Sequence, residues 1–263
     1  MIVLLSFLFS CDYFKQKNNE ENETPKQETE GQEKEPENGI FRTQKSYSID
    51  SVNFTRHQVV IREGQNEETI IYTVFTDTKN FAPLNEAIAD YMNLVRLDSM
   101  KIKQNSSLDA DDSQYESVQR TDTVYFVGED LINVEMNYSF MANGAECENK
   151  DRQFLSYSLK TKKILTLKDV FGAQLPQAQK TIHNSLKDKF LKEVDVFAEN
   201  AYQRPDSSEI GRVKSQIQNP TLFFENMSFM TTQDSIIFSC PINFGCSLPP
   251  YLRGSVSLKT LGK

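Results

Sequence analysis

The sequence contains few of the side chains on which enzymes and nucleic-acid-binding proteins most often depend. Its 263 residues include two histidines and no tryptophan, and the formal net charge is −8. Histidine is the commonest general base and metal ligand, so two copies leave little material for acid–base or metal chemistry. A net negative charge argues against nucleic acid as the main partner. No apolar run approaches the ~20 residues that a membrane-spanning helix needs.

The composition does favour a folded body. The 18 Phe and 10 Tyr supply core material, and the length suffices for one large or two small domains. None of the motifs G-x-S-x-G, P-loop and C-x-x-C is present. We therefore expect no enzymatic activity, no cofactor and no bound metal. One enzymatic alternative stays open, because any two of the 28 acids after residue 40 can form the carboxylate pair of a glycoside hydrolase.

The first eleven residues resemble the lipobox that ends a bacterial lipoprotein signal peptide. Residues 2–9 are Ile-Val-Leu-Leu-Ser-Phe-Leu-Phe, and Leu8, Ser10 and Cys11 occupy lipobox positions −3, −1 and +1. The resemblance implies a signal peptide over residues 1–10 and lipidation of Cys11. Signal peptides usually begin with Lys or Arg, so we expect the basic residues to lie upstream of Met1. The alternative is a buried N-terminal strand that carries an ordinary cysteine.

Residues 11–40 are predicted to form a disordered acidic tether. Residues 12–40 hold eight Glu, one Asp and four Lys, and few apolar residues. Such a segment buries too little apolar surface to offset the entropy lost on ordering. It accounts for five of the eight net negative charges, so residues 41–263 carry only −3. The acidity therefore gives little support for a cationic ligand of the body.

Residues 41–263 show the hydrophobic patterns of an α+β fold. Strand patterns cover residues 52–62, 69–76, 115–127, 131–140, 153–160, 221–230, 234–240 and 251–258. Helical spacing of apolar residues covers 81–102 and 176–197, and a short helical turn over 167–171 ends at Gly172. Because the strands occur in runs, we predict antiparallel sheets packed against two long helices. We also predict two α/β subdomains, residues 41–128 and 129–263.

The residues after Leu131 follow the order of a known family. They include the runs Asn143-Gly144-Ala145, Ile164-Leu-Thr-Leu-Lys-Asp-Val-Phe171, Asn226-Met-Ser-Phe-Met-Thr and Pro250-Tyr251-Leu-Arg-Gly254. This order resembles the extracytoplasmic domain of RsiV-type anti-sigma factors, known as domain of unknown function 3298 (DUF3298). Residues 46–128 resemble its usual companion, domain of unknown function 4163, which is also found in PdaC-type peptidoglycan deacetylases. The chain lacks a His/Asp cluster like the metal site of those deacetylases.

The resemblance implies a binding or sensing module of the bacterial cell envelope. Together with the lipobox, it predicts a chain that is lipid-anchored to a membrane and faces the periplasm or the surface. We expect a monomer that binds a protein or a cell-wall fragment and no nucleic acid. The alternatives are a lysozyme-binding or lysozyme-inhibiting lipoprotein and, in another class, a cell-wall hydrolase with an unrecognised carboxylate pair. The candidate ligand-binding residues lie in two loop segments: Asn143, Gly144, Ala145 and Glu146, and then Pro250, Tyr251 and Gly254.

Cysteine departs from the family pattern in both loop segments. The family's Gly-Gly-Ala-His-Pro loop reads Asn143-Gly-Ala-Glu-Cys147 here, and its Tyr-Glu-Ile-Ala-Pro-Tyr run reads Cys246-Ser-Leu-Pro-Pro-Tyr251. Since an envelope protein can keep a disulfide, a Cys147–Cys246 bond is one hypothesis. A local Cys240–Cys246 bond and three unpaired buried cysteines are the alternatives. The alternation around Cys240 favours a buried free thiol at that position.

Four short runs resemble an O-glycosylation acceptor of some Gram-negative bacteria. In each run Asp precedes Ser or Thr, and an apolar residue follows. The candidate acceptors are Ser51, Ser99, Thr123 and Ser235. The alternative is chance, because these residue types are common in turns and at strand edges.

Overall fold

The computed structural model describes residues 39–49, 51–95, 115–142, 149–200, 205–241 and 251–262. Within these ranges it has mixed α and β content, with one large and mainly antiparallel sheet, a smaller sheet and several helices. The chain from Glu37 to Lys263 forms one compact unit. The lipobox and nearly all of the predicted tether lie outside the described residues.

The described secondary structure elements are numbered in chain order. The strands are β1 (Gly39–Ile49), β2 (Val52–Glu63), β3 (Asn66–Phe75), β4 (Tyr115–Val127), β5 (Leu131–Ala142), β6 (Asn149–Ser158), β7 (Lys163–Ile164), β8 (Ser228–Thr231), β9 (Ser235–Pro241) and β10 (Tyr251–Ser257). The helices are α1 (Thr78–Tyr91), α2 (Leu167–Phe171), α3 (Leu175–Asn200), α4 (Ser207–Gln218) and α5 (Pro220–Glu225), with 3-10 turns at Gly172–Gln174 and Leu258–Leu261.

The large sheet has seven strands in the order of the sequence, β1 to β7. All neighbours are antiparallel except β3 and β4, which pair in parallel with Ile70 opposite Arg120. A parallel pair needs a crossover connection, and helix α1 lies within it. The sheet is continuous across the predicted subdomain boundary at residues 128/129, where β4 turns into β5. The large sheet thus does not end at this boundary, and the two subdomains stay a prediction.

The small sheet has the order β10-β9-β8 and packs one face on helix α3. In β10 the residues Leu252, Gly254 and Val256 are buried and alternate with exposed neighbours, as expected for a strand with one face in a core. A Cβ added at Gly254 would lie 2.6 Å from Cδ2 of Leu186 on α3. The absence of a side chain thus lets β10 approach the helix closely.

The described hydrophobic residues form two separate clusters. The first joins the large sheet to α1 through Phe81, Leu84 and Ile88. The second joins the small sheet to α3, α4 and α5. In the sequence, every residue of the first cluster comes at or before Ile164, and every residue of the second cluster comes at or after Leu167. Each sheet therefore has its own apolar core, built with its own helices.

The described helices differ from two of the predictions. Among them only α3, with 26 residues, is long, so two long helices are not clearly present, and residues 96–102 of the predicted helix over 81–102 lie outside the described residues. Helix α1 has 14 residues, is capped by the side chain of Asp77, and ends at Tyr91, two residues before Asn93 adopts a left-handed φ of 55°. The predicted strand over 221–230 is also wrong in its first half. Asn219 caps α5 there, and Pro220 occupies its first turn, where proline favours a helix start.

Candidate functional site

Strands β6 and β10 contact each other near their first residues. The guanidinium of Arg152 lies over the ring of Tyr251, with 4.0 Å between Cζ and the ring centroid. Tyr251 is the first residue of β10, and Arg152 is the fourth residue of β6. This cation–π contact holds together the two strand ends that follow the predicted loop segments.

Strand β5 fixes the position of Arg152. Its Nε donates a hydrogen bond to Oδ1 of Asn137 at 2.9 Å and lies 3.1 Å from Oε1 of Glu135 in an ion pair. Asn137 is the register partner of Arg152 across the β5–β6 pair. The side chains of Arg152 and Glu135 are only 16% and 9% exposed. Arg152 is therefore held in one geometry, with its charge balanced by Glu135.

Tyr125 on β4 extends this cluster. Its hydroxyl donates a hydrogen bond to Oε2 of Glu135 at 3.2 Å. Burial, followed by the negative charge of Glu135, raises the pKa of the Tyr125 phenol. The hydroxyl thus keeps its proton and remains a donor to the carboxylate.

Arg253 completes the set, which we call the arginine–tyrosine cluster: Tyr125, Glu135, Arg152, Tyr251 and Arg253. The guanidinium of Arg253 lies 5.7 Å from the ring centroid of Phe154. Arg253 is exposed, and no carboxylate of the described residues forms an ion pair with its guanidinium. Because Arg152 and Glu135 balance each other, the five residues of the cluster have a net charge of +1, carried by Arg253.

A buried polar network joins the two sheets beside the cluster. The Oγ of Ser156 on β6 donates to Oδ1 of Asn133 at 2.7 Å and accepts the backbone N–H of Thr231 on β8 at 2.9 Å. The amide of Asn133 donates in turn to the Thr231 carbonyl at 2.6 Å. These groups satisfy one another inside the protein, as buried polar groups must.

The predicted ligand-binding residues fall in different places. Tyr251 belongs to the arginine–tyrosine cluster, whereas Gly254 lies in the core against α3. Several predicted site residues lie outside the described residues: Cys11, Ser99, Asn143, Gly144, Ala145, Glu146, Cys147, Cys246 and Pro250.

Cys240 is a buried free thiol, as the alternation in β9 predicted. Burial raises its pKa to about 12, so the thiolate needed for disulfide chemistry does not form at neutral pH.

The described O-glycosylation candidates differ in accessibility. Ser51 is exposed in the turn between β1 and β2, with a left-handed φ of 68°. Thr123 is half-buried in β4, and the Ser235 Oγ lies 3.0 Å from Oγ1 of Thr232. Modification at these positions stays a prediction.

The buried carboxylates of the described residues all pair with arginine: Glu68 with Arg120, Asp122 with Arg56, and Glu135 with Arg152. Burial raises the pKa of Asp122 despite the opposing effect of Arg56. Over the same ranges, no group of three or more His, Cys, Asp or Glu could hold a metal ion.

No helix in the described part of the chain is both long and apolar enough to cross a membrane.

The sequence analysis did not identify Arg152, Glu135 and Asn137. On β5 the polar residues Asn133, Glu135 and Asn137 alternate with the apolar Ile132, Val134 and Met136. Such alternation ordinarily indicates one solvent-exposed face, but here the small sheet covers the polar face. Buried carboxylate positions such as Glu135 cannot be recognised without the partner sheet.

Comparisons with known proteins give one family description. No protein-family model matches the chain, and no curated protein matches it. A DUF3298 family protein from Pseudomonas aeruginosa PAO1, known from a crystal structure, shares 13% sequence identity with this chain. The TM-score is 0.44, and the match covers 87% of this chain and 94% of the other chain. One from Bacteroides fragilis NCTC 9343 is 11% identical, with the same TM-score and coverage. The chain is thus similar to structures described as DUF3298 proteins, the family that its sequence resembles.

Proposed function

We propose that this chain is a non-enzymatic, lipid-anchored protein of the bacterial cell envelope that binds an external ligand. The ligand is a cell-wall fragment or a protein, bound where β6 and β10 begin. The observation that carries the proposal is the contact between Arg152 and Tyr251, because it joins the beginnings of β6 and β10, which lie in or next to the predicted ligand segments in the sequence.

The side chains at this place suit recognition. Arginine and tyrosine are enriched among the residues that dominate binding energy in interfaces. Arg152 is held by Glu135 and Asn137, so little side-chain entropy is lost when a ligand binds. Arg253 offers an exposed positive charge that pairs with no carboxylate of the described residues. The arrangement favours a ligand that carries carboxylates, such as the peptide stems of peptidoglycan, over a basic protein such as lysozyme.

The described carboxylates support a binding role over a hydrolytic one. A glycoside hydrolase needs two carboxyl groups that face the same bond, whereas each buried acid here is paired with an arginine. A carboxylate whose oxygens are occupied by an arginine is less available to exchange a proton with a substrate.

The test is capture of the lipid-free mature chain by immobilised peptidoglycan fragments and by immobilised lysozyme. We expect capture by peptidoglycan, and we expect Arg253→Glu to weaken it at least about tenfold, because the variant replaces an attraction by a repulsion. Arg42→Glu, a matched reversal at an exposed position of the edge strand β1, should leave capture unchanged.

Lysozyme capture separates the alternatives. If lysozyme were the ligand, Arg253→Glu would maintain or strengthen capture, because lysozyme is basic. Capture by neither ligand would contradict the proposal. Release of sugar or peptide from peptidoglycan by the purified chain would favour the hydrolase instead.

A further inference from the structure

A cavity lies between the first half of α3 and helix α5. These elements contribute no residue to the arginine–tyrosine cluster. The volume of the cavity is about 710 Å³, within the range of small-molecule sites. We call it the α3–α5 groove. The lining side chains that matter here are Gln179, Lys180, His183 and Asn184 on α3, with Phe224 and Glu225 on α5.

His183 lines this groove with a ring whose position is fixed. The residue is 7% exposed, and its Nε2 lies 2.9 Å from the carbonyl oxygen of Ile217. A carbonyl only accepts, so Nε2 carries the proton, and in the neutral ring Nδ1 is a hydrogen-bond acceptor. The edge-on packing of the imidazole with Phe223 fixes its orientation. Nδ1 is therefore the ring nitrogen that the contact with Ile217 leaves unused.

The other polar side chains of the groove are uncommitted within the described ranges. The amides of Gln179 and Asn184 each offer a donor and an acceptor, and neither forms a side-chain hydrogen bond with a described residue. Lys180 and Glu225 bring opposite charges, so the groove has no net charge from these two residues. The polar lining therefore suits a neutral ligand rich in groups that both donate and accept.

Flat apolar surfaces lie beside these polar groups. The half-buried ring of Phe224 lines the groove, and so do Pro176 and Pro220. Sugar rings combine hydroxyl edges with apolar faces, which match amide groups and aromatic or proline surfaces respectively. A lipid chain would need a continuous apolar lining, and an anion would need uncompensated positive charge. The groove provides neither.

We propose that the α3–α5 groove binds a neutral glycan segment, with the Nδ1 of His183 accepting from the sugar and Phe224 packing on a ring face. The proposal rests on the cell-envelope function above, which makes glycan chains of N-acetylated amino sugars the available ligand. It deepens that function by adding a second contact point for the same polymer, on different elements.

The experiment uses the lipid-free mature chain with its histidines labelled with carbon-13. The sequence has only two histidines, so NMR spectra resolve His183 from His57 on β2. We expect the neutral tetramer of β-1,4-linked N-acetylglucosamine to shift the imidazole signals of His183 and to leave those of His57 unchanged.

Two variants locate the binding. Asn184→Ala and Lys180→Ala should each weaken binding of the tetramer by about fivefold, the effect of one lost hydrogen bond. Lys192→Ala, a matched change at an exposed position of the same helix, should leave it unchanged. Equal shifts of both histidines, no shift at all, or a response to a charged stem peptide in place of the sugar would overturn the proposal.

The result is independent of the test at Arg253. The tetramer carries neither charge nor peptide, so Arg253→Glu should not alter its binding. Capture of peptidoglycan that depends on Arg253, together with no binding of the tetramer, would overturn the groove and leave the envelope function intact.

Discussion

Gly254 was predicted to bind a ligand, but in the structure it allows β10 to pack closely on α3. A Cβ at this residue would approach Leu186 and Phe190 to 3.0 Å or less. We expect Gly254→Ala to lower the free energy of unfolding by about 1–3 kcal/mol, because the added methyl overpacks the core. Urea unfolding followed by circular dichroism measures the change.

The control is Ser255→Ala on the exposed side of the same strand, which should change the stability by less than about 0.5 kcal/mol. A Gly254→Ala protein as stable as the parent would show that the core relaxes at no cost and would contradict the packing role.

Cys240 gives a prediction about pH. Its pKa is about 12 in the folded protein, against about 8.5 for an exposed thiol. Between these values the unfolded chain loses the proton and the folded chain keeps it, so stability is full below pH 8.5 and falls as the pH rises. Between pH 8 and 10.5 we expect the parent protein to lose about 1–3 kcal/mol more than Cys240→Ala.

Urea unfolding at the two pH values measures this difference. The cavity that Cys240→Ala creates lowers the stability at both pH values alike, so only the pH dependence reports the thiol. Equal pH dependence of the two proteins would mean that the thiol ionises in the folded state.

Only part of the candidate site could be predicted from the sequence. The family resemblance pointed to Tyr251, and alternation predicted a buried Cys240. Arg152 and Glu135 could be recognised as buried partners only from the structure, in which the small sheet packs against β5 and β6. Hydrophobic periodicity shows which face of a strand is apolar, but it does not show which polar face another sheet will cover.

At the scale of elements, the junction between the two sheets depends on hydrogen bonds from Ser156. We expect Ser156→Ala to lower the free energy of unfolding by about 1–3 kcal/mol, because Asn133 and the Thr231 N–H lose a buried partner. Differential scanning calorimetry of purified protein tests this.

The chain provides a matched control in Ser239 on β9. Its Oγ is buried without a hydrogen-bond partner within the described structure. Ser239→Ala therefore removes an unsatisfied group and should be neutral or stabilising. Equal destabilisation by the two variants would show that the hydroxyls contribute only volume.

The elements themselves were predictable where their patterns are strong. Strands β2, β4 and β5 and helix α3 match the predicted segments within a few residues. Helix α4 was missed, although Asp206 and Glu209 form a capping box and Ile210, Val213 and Ile217 follow helical spacing. Strand β1 was not predicted at all, and its first two residues, Gly39 and Ile40, were assigned to the tether. It is a sheet edge of mainly polar residues, so its sequence has little hydrophobic alternation.

At the scale of the whole molecule, the function proposed above depends on attachment at Cys11. We expect Cys11→Ser to abolish incorporation of labelled fatty acid and to move the chain from the membrane fraction to the soluble fraction, because the acylated thiol is lost. Cell fractionation with immunoblotting measures the distribution, and Cys240→Ser serves as a cysteine control. A Cys11→Ser protein that stays in the membrane fraction would contradict lipid anchoring at this residue.

The single parallel pair has a consequence for how the large sheet forms. Strands β1–β3 and β4–β7 are two meanders whose members are neighbours in the sequence, whereas β3 and β4 join residues 50 positions apart. Asp122 secures this join, because it accepts the backbone N–H of Thr73 at 2.7 Å and pairs with Arg56 on β2. Contacts between distant residues are the slow ones to make. We therefore expect the pairing of β3 with β4 to be a slow step in the formation of the large sheet.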